Sequence, residues 1–159
     1  MNTEKENSFI LDSEMIFANS INNYLNKSNS NWKIIKSEFK YCYIDFILIN
    51  LQNIYTCYLE YKERSYCRGY NHYDSYFISL RKYEAIKKCY QNCYIVFDFT
   101  NQTKDDNQFF YIKYNEELFN DFEKNETKSR LLIPSKFCKI SFENLMTEMI
   151  DIIPNRNLI

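Results

Sequence analysis

Residues 43–64 read YIDFILINLQNIYTCYLEYKER. β-Branched and aromatic residues run almost unbroken on both sides of residues 50–53, as in two strands joined by a tight turn. We place strands near 41–49 and 54–62, and a further one near 32–39. Side chains on a strand alternate between faces, so Glu60 and Lys62 share one side of the sheet, about 6 to 7 Å apart. Asp45 shares that side if the connecting loop holds an even number of residues. A two-residue loop at Gln52 and Asn53 sets Asp45 directly opposite Glu60.

Facing carboxylates across a ladder repel, and a fold avoids that unless a cation offsets the charge. A divalent metal is the natural candidate. Mg²⁺ prefers oxygen ligands and keeps several waters, so Asp45, Glu60 and the backbone carbonyl of Tyr61 make a serviceable site with a phosphate oxygen. Such an ion polarises a phosphoryl oxygen and generates a hydroxide nucleophile. Lys62 is then placed to orient the attacking water or to offset charge in the transition state.

Outward from this hairpin, Met15, Ala18, Ile21, Asn22 and Leu25 recur at helical spacing, which predicts a helix over 13–26 with Asp12 or Ser13 as N-cap. Residues 64–74 include Gly69, the only glycine, with Ser, Asn, His and Asp, and read as an exposed loop. A short extended piece over 76–80 precedes a helix over 81–91, with Tyr83 and Ile86 on its apolar side. CYIVFDF (93–99) and FFYIKY (109–114) bracket a polar turn as a hairpin. The tail holds a short helix near 116–123, a segment around Pro134 and a helix near 142–150.

A chain of 159 residues fits one domain, read as a core over 12–114 with a C-terminal extension over 115–159. Abundant Asn, Lys, Ile, Tyr and Phe with little Gly or Pro is the profile of an AT-rich coding sequence, so the tyrosine count carries little functional meaning. No apolar run approaches a bilayer span, and Met1 to Ser8 lacks the pattern of an export signal. A cytoplasm-like compartment with reduced thiols is expected, including the cytoplasm or nucleus of an infected host; no membrane partner is. Cys67, His72, Cys89 and Cys93 show no zinc-ligand spacing. The net charge of −1 hides an asymmetry, because residues 61–90 carry seven basic side chains against three acidic ones. Residues 101–126 are acidic instead.

An acid on one strand followed by acid-x-lysine on the next resembles the PD-(D/E)xK nuclease superfamily, which includes restriction endonucleases, Holliday-junction resolvases and phage or large-virus nucleases. The likeness covers residues 12–99, with Ile44 in place of the proline of the name. It implies a restriction-endonuclease-like α/β (α+β) core, αβββαβ, with a central mixed sheet flanked by helices. It further implies an Mg²⁺- or Mn²⁺-dependent endonuclease with Asp45, Glu60, Lys62 and the helix residue Glu14 in the active site, acting on DNA more readily than RNA and working as a homodimer. Acids near a helix N-terminus also have a plain dipole role, which is the other reading of Glu14.

Lys82, Arg64, Arg68 and His72 are candidate substrate contacts, although a solvated lysine or a loop histidine is as ordinary a reading. Tyr66, Tyr70 and Tyr73 are placed to stack on unpaired bases. The alternative is a catalytically inactive module of the same fold that binds nucleic acid or a protein, its acidic segment serving as the docking face.

Overall fold

The computed structural model describes residues 3–28, 31–36, 44–52, 56–64, 74–89, 92–100 and 108–151. Helix α1 (Thr3–Lys27) leads into strands β1 (Trp32–Lys36), β2 (Phe46–Asn50) and β3 (Thr56–Glu63). Strand β4 (Ser75–Ser79), helix α2 (Leu80–Cys89), β5 (Cys93–Asp98) and β6 (Phe109–Lys113) follow. The tail adds helix α3 (Glu116–Asn120), β7 (Lys124–Asn125), β8 (Arg130–Pro134), a 3-10 turn at Ser135–Phe137, β9 (Lys139–Ile140) and helix α4 (Phe142–Asp151). Among the described residues no helix is long and apolar enough to cross a membrane.

Six strands form a mixed sheet in the order β1-β2-β3-β5-β6-β9, and β4-β8-β7 form a second sheet. β1, β2 and β3 make an antiparallel meander, β5 lies parallel to β3, and β6 turns back antiparallel. A parallel step needs a long crossover. Here β4 and α2 supply it, so the αβββαβ order is realised with β4 diverted into the smaller sheet. β5 is buried along its whole length, which accounts for its apolar run from Cys93 to Phe97.

Alternation along the central strands feeds two apolar layers. Cys57, Leu59 and Tyr61 of β3 and Tyr94 and Val96 of β5 face α1 and α4, packing on Phe17, Ile21, Leu25, Leu145, Met146 and Met149. Cys93, Ile95 and Phe97 face the other way, toward Tyr83 and Ile86 of α2 and Tyr76, Ile78, Leu131 and Ile133 of the second sheet. Glu60 pairs in register with Ile95, and Lys62 with Phe97, so both belong to the α2 face. A carboxylate is thereby threaded into an apolar layer.

Several sequence expectations are corrected. α1 begins at Thr3, so Ser13 lies inside the helix and does not cap it. Glu14 is likewise far from the helix start, which removes the dipole explanation for it. Asp45 sits in a bend immediately before β2, not on the strand. Pro134 closes β8, and the tail supplies β9 to the edge of the main sheet, pairing with β6. The turn expected over 101–107 lies outside the described residues.

Candidate active site

The hairpin register decides whether the charged groups meet. β2 and β3 pair Phe46 with Leu59, Ile47 with Tyr58, Leu48 with Cys57 and Ile49 with Thr56. One further step along the same register sets Asp45 opposite Glu60. β2 has ended by then, and the Asp45 side chain takes over the edge: its Oδ2 accepts a hydrogen bond from the Tyr61 amide at 2.9 Å. The amides of Tyr58 and Arg64 point to β5, donating to the carbonyls of Asn92 and Asp98. Tyr61, an odd step along the strand, therefore turns its amide and its carbonyl toward Asp45.

Glu60 has no solvent exposure. Its two oxygens are held by two lysines from different elements, Lys62 Nζ at 3.0 Å from Oε1 and Lys82 Nζ at 3.0 Å from Oε2. Lys62 comes from the same strand face. Lys82 descends from the first turn of α2, where its amide is held by the Ser79 hydroxyl at 3.0 Å. Asp45, Glu60, Lys62 and Lys82 thus form one group of two carboxylates and two ammonium ions.

Burial, and then the neighbouring Asp45, push the Glu60 carboxyl up from 4.5 to about 7, although both lysines work the other way. The folded protein then holds a proton there that the unfolded chain has released. Stability falls as pH rises between those two values, and Glu60's share is about 3 kcal/mol. In a chelating buffer, the unfolding midpoint should drop by several degrees between pH 5 and pH 8 for the wild type and by much less for Glu60→Gln. Equal drops would show that Glu60 does not titrate in this range.

Of the other expected site residues, Glu14 and Arg64 are described. Glu14 pairs with Lys36 at 3.1 Å, and among the described residues no contact joins it to Glu60 or Lys62. It borders a cleft of about 220 Å³ shared with Phe46, the residue after Asp45. Arg64 stands beyond Lys62 on the same strand face, its guanidinium donating to the Phe77 and Glu63 carbonyls at 2.9 and 3.2 Å. Arg68, His72 and the loop tyrosines Tyr66, Tyr70 and Tyr73 lie outside the described residues, as do two of the four residues weighed for zinc, Cys67 and His72.

Two contributors escaped sequence reasoning. Asp98, buried at the end of β5, accepts from the Tyr61 hydroxyl at 2.6 Å and from the Thr100 amide at 2.8 Å, and so braces the residue between Glu60 and Lys62. Its signal was an isolated acid in an otherwise apolar run. Arg130, at the start of β8, stacks on the same Phe77 ring as Arg64. Nothing in its local sequence marked it.

The donor set suits a hard divalent cation. Asp45 and Glu60 offer carboxylate oxygens, and the Tyr61 carbonyl turns to the same edge.

The fold and this geometry define a class, an α/β (α+β) protein with a mixed central sheet and an acid, acid-x-lysine group on its meander. The structure of D212, a nuclease from a fusselovirus, is similar in fold, with a TM-score of 0.57 at 14% sequence identity, over 95% of this chain and 94% of that one. No family model matches the sequence, and no curated protein matches it.

Proposed function

We propose that this protein is a metal-dependent phosphodiester hydrolase, a DNA endonuclease that cleaves with a water molecule. The observation that supports it best is the convergence of Asp45, Glu60 and Lys62 on one edge of the β2–β3 hairpin, within a fold shared with a viral nuclease. Asp45 and Glu60, with the Tyr61 carbonyl, would hold Mg²⁺ or Mn²⁺. Such an ion, when bound, supplies Lewis-acid activation of the phosphate and of water.

The chain's own residues do the rest. Lys62 leaves Glu60 and presents its ammonium group to the incoming water or to a phosphate oxygen. Lys82 stays with Glu60, favouring its ionised form and orienting it. Asp98 and the Tyr61 hydroxyl hold the strand between them in place. Because duplex cleavage needs two sites, a symmetric dimer is the assembly we expect.

The closed state of Glu60, with both oxygens taken by lysine, favours a second reading: an inactive module of this fold. Exposed Glu116, Glu117, Asp121, Glu123 and Glu126 would be its docking face. Calorimetric titration separates the two. Mn²⁺ should bind the wild type, and Asp45→Asn should weaken that binding at least tenfold, with Mn²⁺-dependent cleavage of single-stranded, duplex or branched DNA by the wild type alone. Absence of both Mn²⁺ binding and cleavage would leave the inactive module standing.

A further inference from the structure

We propose that Arg64 and Arg130 form a clamp for a backbone phosphate of the nucleic acid, adjacent to the phosphate engaged at Lys62. The inference rests on the nuclease reading for the identity of its ligand, and it adds a residue from the second sheet to the binding surface.

Arg64 prolongs the β3–β5 ladder, its amide donating to the Asp98 carbonyl at 2.9 Å. It therefore follows Glu60 and Lys62 on one strand face, about 6 to 7 Å beyond Lys62. That distance resembles the step between successive phosphates of a nucleic-acid strand. Arg130 arrives from the other side. It pairs in register with Ser79, the residue whose hydroxyl holds the Lys82 amide, so β8 delivers it to the end of α2 that carries Lys82.

Both guanidinium groups then meet on one ring, with Arg64 4.7 Å and Arg130 3.8 Å from the Phe77 centroid. Among the described residues no carboxylate forms an ion pair with either. Burial and then Arg130 lower the Arg64 pKa, and Glu60 only partly opposes this. Two like charges thus stack on one aromatic ring, Arg64 also on neutral carbonyls, and both are half-buried. Arg64 spends part of its five-donor fork on those carbonyls, which fixes its direction and leaves donors over. An incoming phosphate would relieve the repulsion and match the planar forks, an arrangement lysine does not reproduce.

The competing explanation is that Arg130 merely stacks on Phe77 to stabilise the second sheet. Fluorescence anisotropy distinguishes them, using a short fluorescein-labelled DNA strand and its duplex, in EDTA, over a series of salt concentrations. Arg130→Gln should weaken binding about fivefold to tenfold and reduce the slope of log affinity on log salt by about 1. Arg130→Lys should keep the slope and lose affinity severalfold, and it carries the test if the glutamine variant does not fold. Wild-type affinity and slope in a folded Arg130→Gln, or in its absence unchanged affinity in Arg130→Lys, would overturn the clamp, as would a wild type that binds neither DNA. Arg130-dependent binding by a wild type that cleaves nothing in Mn²⁺ would uphold the clamp and remove the nuclease reading.

Discussion

Lys62→Ala is expected to lower single-turnover DNA cleavage by about 10²- to 10³-fold while the protein stays folded, the effect of removing one charge-stabilising donor from an active site. The two lysines on Glu60 are not equivalent. Lys62 retains 30% side-chain exposure and Lys82 only 14%, so Lys62 is the one able to turn toward a substrate. With Lys62 gone, Lys82 still pairs with Glu60 and the carboxyl can take a proton, so the loss of stability should stay near 1 to 2 kcal/mol. Cleavage rates and urea unfolding on the same preparation check both halves. Wild-type cleavage in the variant would remove Lys62 from the chemistry.

The opposite balance is expected at Lys82. Breaking a buried ion pair by removing one partner costs about 3 to 5 kcal/mol, because the remaining charge is left uncompensated. Lys82→Met should approach that loss at pH 8, where Glu60 must ionise against burial and Asp45. At pH 5 Glu60 is protonated in the folded state, and the loss should shrink to about half or less. Adding Glu60→Gln to Lys82→Met should recover most of the stability at pH 8. Urea denaturation at the two pH values measures this directly. A loss independent of pH would mean that Lys82 acts through packing of its aliphatic stem instead.

The site's core was readable because strand periodicity is rigid. FILIN buries alternate residues and β3 sends Cys57, Leu59 and Tyr61 into the same core, so a slip of one position would turn Leu48, Leu59 and Tyr61 out of it, and the apolar pattern supports the register that a two-residue loop implies. Glu60, Lys62 and the position opposite them came with it. Helix phase was less decisive for Lys82. Its place on α2 was visible, but its reach to Glu60 depends on how the helix crosses the sheet, which local sequence does not encode.

The second sheet was the larger omission. β4 and β8 are separated by some fifty residues of chain and pair through ordinary apolar side chains, so neither strand announced its partner or the arrival of Arg130 beside Arg64. The start of α1 was misplaced for a different reason. A capping residue such as Asp12 or Ser13 is tolerated in a helix interior when the chain before it is also helical, so its presence does not fix a helix start. Glu14 then lost its place near a helix end and gained Lys36 as a partner, a contact made only once β1 packs beside α1.

A cation bound here would enter a group of two carboxylates and two lysines. The most direct measurement is an anomalous difference map from a crystal soaked in Mn²⁺. A peak is expected between the carboxylates of Asp45 and Glu60, within bonding distance of the Tyr61 carbonyl, with the Lys62 ammonium turned away from Glu60. A map without that peak, showing Lys62 and Lys82 still closed on Glu60 at saturating Mn²⁺, would contradict that site.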